Sequence, residues 1–251
     1  MIELYINGIS GRMGTTLINL IQNKPEFQVT DNLSSADVVI DFSHPSSTQK
    51  ILNNCLKHNI PMVIGTTGIE KEMLDEISKA SKILPIVLAA NMSIGIHQLK
   101  QSLKKFIKGN NKNLNCLIEE THHSKKLDRP SGTAIEIENL IKNEDKNNYI
   151  NLAKTVSYRE DDISGIHKIT FTEDDVSYIF KHSAISRDVF GNGAIYCARR
   201  IIKLQPELYS FKKIINRIKT LKTKNFSIEY TNFNHEDSCF VKWGAYKVCF
   251  T

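Results

Sequence analysis

The opening of this chain restricts its fold more than any other stretch. Ile2 to Ile6 reads as a short apolar strand, and Asn7-Gly8-Ile9-Ser10-Gly11-Arg12-Met13-Gly14 comes directly after it. A helix with Leu17, Ile18 and Ile21 on one side then runs to Pro25, which ends it. Strand, glycine-rich turn and helix is the layout of a dinucleotide fingerprint: the glycines tighten the turn, admit backbone N–H groups to a pyrophosphate, and let helix pack on strand. The spacing here is G-x-x-G-x-x-G and not the commoner G-x-G-x-x-G. An ordinary strand-to-helix turn is the competing reading.

Residues 27–93 repeat the unit. Phe27 to Asn32 predicts a second strand, with Asp31 as the acid at its end that would hold adenosine ribose hydroxyls. Only a short link separates it from Ala36 to Phe42, a nearly continuous apolar run of the kind a parallel strand covered on both faces requires. Ser43-His44-Pro45-Ser46-Ser47 leads into a helix over Thr48 to Lys57. Pro61 to Ile64 predicts a strand ending in Gly65-Thr66-Thr67-Gly68, with a helix from Glu70 to Ser81. Ile83 to Ala89 predicts another, ending in Ala90-Asn91-Met92-Ser93. Small or hydroxylated residues at each strand's C-terminal end describe a doubly wound sheet, whose ligands bind outside those ends. His44 reads equally well as a helix-entry residue and receives no role.

A long amphipathic helix, Ile94 to Ile107, leads to the strand Leu114 to Ile118 and then to Glu119-Glu120-Thr121-His122-His123-Ser124-Lys125-Lys126-Leu127-Asp128-Arg129-Pro130-Ser131-Gly132-Thr133. A helix is expected over Ala134 to Ile141, so these polar residues lie on a strand-to-helix loop. Imidazoles titrate near neutrality and can give or take a proton. A helix start with a nearby ammonium seats an anion. Proton donor, cation and a seat for a carboxylate therefore share one loop, where a solvated connection would be the plain alternative. Beyond residue 150 the pattern alternates, with Ile166, Ile169 and Phe171, then Val176, Tyr178 and Phe180, predicting antiparallel strands of a second, α+β domain. A helix opens at Phe190-Gly191-Asn192-Gly193-Ala194 and runs through Ile202, another covers Phe211 to Leu221, and Phe226 to Tyr230 and Tyr246 to Phe250 read as strands.

Composition bounds the setting. The 251 residues are 41% hydrophobic and 24% charged, with no apolar run long enough to cross a bilayer and no signal peptide before the first strand. Five scattered cysteines, with no C-x-x-C pair, imply free thiols in a reducing compartment, neither a disulfide frame nor a zinc site. No metal and no membrane association are implied, and the expectation is a cytoplasmic protein. A net charge of +6 suits anionic small molecules, and the lysines and arginines are too dispersed to favour nucleic acid.

With these residues in view, the chain resembles the dihydrodipicolinate reductase family, the 4-hydroxy-tetrahydrodipicolinate reductases of lysine and diaminopimelate biosynthesis. Glu120 to Thr133 is close to that family's E-x-H-H-x-x-K-x-D-x-P-S-G-T. Gly8 to Gly14, Gly65 to Gly68, Ala89 to Ser93 and Phe190 to Ala194 match further family motifs in order. The resemblance implies NADH or NADPH as cofactor and a small dicarboxylate as substrate. It implies His122 as the proton donor that completes reduction, with Lys126 as the second catalytic group. His123, Ser131, Gly132 and Thr133 would bind the dicarboxylate. Arg187 would join them, with a surface ion pair as its other reading. Gly8, Ile9, Ser10, Gly11, Arg12 and Met13 would cradle the pyrophosphate. Gly65, Thr66 and Thr67, with Ala89, Ala90, Asn91 and Met92, would line the ribose and nicotinamide.

The fold so implied is α/β: a Rossmann-like doubly wound parallel sheet formed by residues 1–93 and 191–221, with a second α+β substrate domain holding a mixed or antiparallel sheet at 94–190. The second domain would close by hinge motion, and the family is usually a homo-oligomer, a tetramer. Three departures stand out. The second strand and its loop are shorter than the family's. The family's glycine-rich R-x-G-x-x-x-G-x-H segment, which belongs to the sheet used for assembly, is missing between Ile169 and Thr172. Residues 222–251 have no family counterpart. Two other functions compete: a relative acting on another small imino or oxo acid, with aspartate dehydrogenase as the comparison, and a non-catalytic nucleotide-binding derivative.

Overall fold

The computed structural model describes residues 1–124, 126–160, 163–216, 239–243 and 246–250, the last two segments by backbone only. Two compact units emerge, residues 1–94 with 187–223 and residues 95–186 with 224–251.

In the first unit the elements run β1 (Ile2–Asn7), α1 (Arg12–Ile21), β2 (Phe27–Thr30), β3 (Val38–Asp41), α2 (Pro45–His58), β4 (Met62–Ile64), α3 (Lys71–Ala80) and β5 (Ile86–Leu88). The second unit supplies α4 (Ile94–Gly109), β6 (Leu114–His122), α5 (Gly132–Glu144), β7 (Ile150–Leu152), β8 (Val156–Arg159), β9 (Gly165–Glu173) and β10 (Val176–Ala184). The chain then returns to the first unit as α6 (Asp188–Ile201), β11 (Leu208–Tyr209) and α7 (Phe211–Asn216), before β12 (Cys239–Trp243) and β13 (Tyr246–Phe250).

The first sheet has the order β11-β5-β4-β3-β1-β2, every pair parallel. All four residues of β3 are buried, as the unbroken apolar run requires of a strand covered on both faces. Leu4, Ile6, Val38, Ile40, Val63 and Val87 build one core with α1 and α6, and Val39, Met62, Ile64 and Ile86 build another with α2 and α3. Between β2 and β3 there is only a single 3-10 turn, Leu33–Ser35, so the short link is real. At the strand ends, Asp41 is fully buried and collects Asn7 Nδ2 at 2.8 Å, Ser43 Oγ at 2.5 Å and Thr48 Oγ1 at 2.5 Å. Thr66 Oγ1 accepts from the Ser43 N–H at 3.0 Å. Loops after β1, β3 and β4 are thereby tied together.

The second sheet is mixed, in the order β12-β13-β10-β9-β6-β7, with β8 also paired to β6. β6 runs parallel to β7 and β8 and antiparallel to β9. Helices α4 and α5 cover one face through Leu99, Leu103, Ile137 and Ile141, against Cys116, Ile118, Ile169 and Phe171. Phe106 packs its ring tilted against Phe171 and edge-on against Phe180, at centroid distances of 4.9 and 5.2 Å.

The elements expected from sequence are present with shifted ends. α2 starts three residues before Thr48, because His44 caps it and Pro45 supplies the first helical position. α6 starts at Asp188 and not at Phe190. In β9 the buried set is Gly165, His167, Ile169 and Phe171, so the expected Ile169 and Phe171 point inward and Ile166 lies off that set. The tail contributes a hairpin whose β13 pairs with β10 at Phe180 and Phe250. The strand expected at Phe226 to Tyr230 lies outside the described residues, as does the end of the helix expected to reach Leu221.

Candidate active site

One alternation builds both the core and the site of the second unit. Along β6 the buried side is Leu114, Cys116, Ile118, Glu120 and His122. Period two carries the apolar face directly into a carboxylate and an imidazole at the strand's C-terminal end. The neighbouring strands continue the change of character. Cys116 faces Phe171, Ile118 faces Ile169, and then Glu120 faces His167. Ser157 on the other side and His182 beyond complete a polar row across β8, β6, β9 and β10. In the next row His122 faces Arg159. On its other side lies Gly165, where an added methyl would sit 3.0 Å from His122 Nε2 at a φ of +156°. Glycine there lets the backbone come up to the imidazole.

Within this cluster Glu120 is fully buried and His122 is 8% exposed. A close hydrogen bond joins His122 Nδ1 to Glu120 Oε2, and Arg159 Nη2 pairs with Glu120 Oε1 at 2.9 Å. The Arg159 side chain is 3% exposed. Its Nε donates to the Lys126 carbonyl at 3.2 Å, its Nη1 to the Tyr158 carbonyl at 2.6 Å, and its Nη2 to the Asp128 carbonyl. The loop is also held by the Lys126 N–H on the His123 carbonyl (3.0 Å) and by the His123 N–H on the Ile163 carbonyl (2.8 Å).

Lys126 Nζ grips Asp128 Oδ1 at 2.8 Å, and the Gly132 N–H donates to the same carboxylate. Ser131 is buried, caps α5 by accepting the Ala134 N–H at 3.3 Å, and sits 3.2 Å from His167 Nε2. The start of α5 with Lys126 thus binds a carboxylate, and in this state the carboxylate is the chain's own. Thr133 lies in the first turn of α5.

Burial pushes the Glu120 carboxyl up, but hydrogen bonds from Ser157 and Arg159 and the His122 ring outweigh it and hold the pKa below the usual value. Burial lowers the pKa of His122; Glu120 opposes this, while the Lys126 and Arg159 charges reinforce it. His167 is pushed down to about 3 by burial and then by the neighbouring His122, and His182 to about 4 by burial. The cluster therefore pairs an ionised carboxylate with neutral imidazoles near pH 7.

Glu120, His122 and His167 bring ligand atoms within 4.8 Å of one another, which raises the question of a metal. The charge argues otherwise. Glu120 is committed to the Arg159 guanidinium, and the Lys126 ammonium is close enough to depress His122. A cation there would have to displace the Arg159 guanidinium from Glu120 and sit near the Lys126 ammonium.

In the first unit, Gly8 has φ +84°, and a methyl on it would lie 2.5 Å from the Phe42 carbonyl oxygen. The Gly11 N–H closes the turn on the Gly8 carbonyl at 2.9 Å. α1 begins at Arg12 with no side-chain cap and no acid in its first turn. That cradle fits a pyrophosphate, since uncapped N–H groups at a helix start attract phosphate. Ile9, Ser10, Gly11 and Arg12 are exposed there and Met13 half-buried. Asp31 is exposed just beyond β2; Gly65 and Thr66 are buried and Thr67 exposed after β4. Ala89, Ala90 and Asn91 lie after β5, ahead of buried Met92. Arg187 opens α6 in the first unit, where its carbonyl accepts the Phe190 and Gly191 N–H groups.

Residues 28–92 match the description "Dihydrodipicolinate reductase, N-terminus" and residues 94–215 "Dihydrodipicolinate reductase, C-terminus". The 4-hydroxy-tetrahydrodipicolinate reductase of Bdellovibrio bacteriovorus is 32% identical over 226 residues, 85% of this chain and 96% of that one. The chain belongs to the dihydrodipicolinate reductase family. The family member of Rickettsia akari is 35% identical over 239 residues, covering 86% of this chain and 97% of its own. A dipicolinate-bound dihydrodipicolinate reductase from Paenisporosarcina shares the fold at a TM-score of 0.68 and 21% identity, over 84% of this chain and 97% of its own. An amine dehydrogenase from Mycobacterium smegmatis does so at 0.56 and 8% identity, over 84% and 95%. The family is one of nicotinamide-dependent oxidoreductases.

Membership also corrects one expectation. The family's R-x-G-x-x-x-G-x-H segment is not lost at 169–172. Arg159, Gly165 and His167 stand at its spacing, with Asp161 in place of the first glycine. Sequence reasoning missed all three, and Glu120 as a partner of His122. The signal available was the inward phase of two paired strands, which places Glu120 and His167 opposite each other.

Proposed function

We propose that this chain reduces 4-hydroxy-tetrahydrodipicolinate, through its dehydrated ring, to tetrahydrodipicolinate. The observation that carries the reading is a carboxylate held by Lys126 and the start of α5, beside a buried imidazole backed by Glu120. In the proposal Asp128 stands in for one carboxylate of the substrate, and Lys126, His123, Ser131, Gly132 and Thr133 form its seat. Gly8 to Met13 hold the pyrophosphate, and Gly65 to Thr67 and Ala89 to Met92 line the rest of the dinucleotide. When bound, the nicotinamide supplies a hydride to the conjugated ring. His122 gives the proton to the neighbouring carbon through Nε2, and takes another from solvent between turnovers. Burial is the main cause that depresses His122, and a dianion beside Lys126 and Arg159 offsets the further depression from those two charges, which favours the protonated imidazole. Arg187 would add a further cation for the dicarboxylate, with a surface ion pair as its other reading.

Asp31 supports NADH as the better cofactor, because its carboxylate would oppose a 2′-phosphate at the end of β2. The test is a coupled assay with dihydrodipicolinate synthase, pyruvate and aspartate semialdehyde, tracking loss of NADH or NADPH absorbance. Protein-dependent oxidation, faster with NADH, is expected. No oxidation by folded protein that binds nucleotide would transfer the reading to another imino or oxo acid. Pyridine-2,6-dicarboxylate binding should weaken as the pH rises, in step with deprotonation of His122.

A further inference from the structure

We propose that Glu120 and Arg159 are positioning residues of the reaction, one fixing His122 as its Nδ1–H tautomer and the other locking that carboxylate to the loop that carries Lys126. The inference rests on the assignment of His122 and Lys126 above. Its geometry is independent of the substrate.

A carboxylate accepts and cannot donate, so a hydrogen bond between Glu120 Oε2 and His122 Nδ1 requires the proton on Nδ1. The neutral ring then keeps its lone pair on Nε2, the side approached by Gly165. Nε2 is the nitrogen left to pick up and release the mobile proton. Glu120 itself has no freedom to turn away. It is fully buried, Ser157 donates to it from the neighbouring strand, and Arg159 holds its other oxygen.

Arg159 extends this constraint beyond the strand. The guanidinium is planar with donors in a fixed fork, so its contacts with Glu120 and with the Lys126 and Asp128 carbonyls set the distance between strand and loop. Proton carrier and substrate cation, four residues apart in sequence, are held by the same buried ion pair. A lysine at 159 could keep the charge beside Glu120 but could not reach two carbonyls as well.

The two roles separate in experiment. In uniformly folded wild-type protein labelled with 15N-histidine, the long-range 1H–15N spectrum should show His122 with its proton on Nδ1. Glu120→Gln should move the neutral ring toward the Nε2–H form and lower kcat by roughly 10²–10³-fold, with the substrate KM within about threefold. Arg159→Lys should retain the Nδ1–H form and raise the substrate KM by about tenfold, with a smaller loss in kcat. A wild-type His122 carrying its proton on Nε2 overturns the proposal without any variant having to fold. So does a Glu120→Gln protein with unchanged tautomer and turnover, or an Arg159→Lys protein that loses its thermal transition together with every kinetic parameter. A wild-type protein with the Nδ1–H form and no turnover in the coupled assay overturns the reductase reading instead, so the two fail separately.

Discussion

Two buried carboxylates, one in each unit, are equally hidden and differently used. Asp41 and Glu120 both have no exposed surface. Asp41 is satisfied by an amide and two hydroxyls from the loops after β1 and β3 and from α2, none of which titrates near neutrality. Glu120 is surrounded instead by a guanidinium, an imidazole and a hydroxyl. Burial alone therefore does not mark a chemical residue. A carboxylate tied to neutral donors is scaffolding that shapes the cofactor loops. One tied to an imidazole and a cation is, in the proposal above, what orients the proton carrier.

The contrast can be broken most forcefully at Arg159. Arg159→Met leaves Glu120 buried without its cation and should cost about 3–5 kcal/mol of stability in urea titration. A loss below about 1 kcal/mol would place Glu120 in the same class as Asp41. Next in size, His122→Ala should lower kcat by roughly two orders of magnitude or more, with nucleotide binding nearly intact by fluorescence titration. Unchanged turnover removes His122 from the chemistry.

Acid sharpens the comparison further. His167 and His182 are held below the ordinary imidazole value of 6.5, at about 3 and about 4. The unfolded chain binds protons there that the folded chain refuses, so stability is full above about pH 6.5 and falls as the pH drops below it. Between about pH 7.5 and 5, His167 alone should account for on the order of 2 kcal/mol, read as thermal stability that His167→Gln makes less dependent on pH. Least of all, Asp41→Asn keeps most of its hydrogen bonds and should cost about 1 kcal/mol. It should raise the nucleotide KM a few-fold and leave the pH dependence of kcat unmoved.

The parallel sheet was legible from sequence because its strands are short apolar runs capped by small residues, a pattern that needs no partner to be read. Even the missing helix between β2 and β3 could be inferred from spacing. The stretch from His122 to the start of α5 was legible as a segment, since its residues are neighbours in the chain, but β6 runs on through His122, so the imidazole expected on a loop stands on a strand. The residues that stayed hidden depend on pairing. Glu120 looked like one of two adjacent acids until β6 placed it inward, and His167 is passed over because its neighbour Ile166 reads as the inward residue ahead of Ile169 and Phe171. Arg159 is 37 residues from His122 in sequence and becomes its neighbour only through a parallel ladder. Long-range register, not residue type, carried that information.

The order in which the chain is made meets an obstacle in its path through the fold. The nucleotide unit is begun by residues 1–94 but acquires α6, whose Ala194, Ile195 and Ala198 fill its core, only after the whole middle segment. The second sheet likewise waits for β13 at the very end. A growing chain on the ribosome would thus hold both units unfinished until the last third has emerged, with apolar faces of the first sheet uncovered meanwhile. Premature termination between residues 114 and 187 would release not one good domain but two incomplete ones.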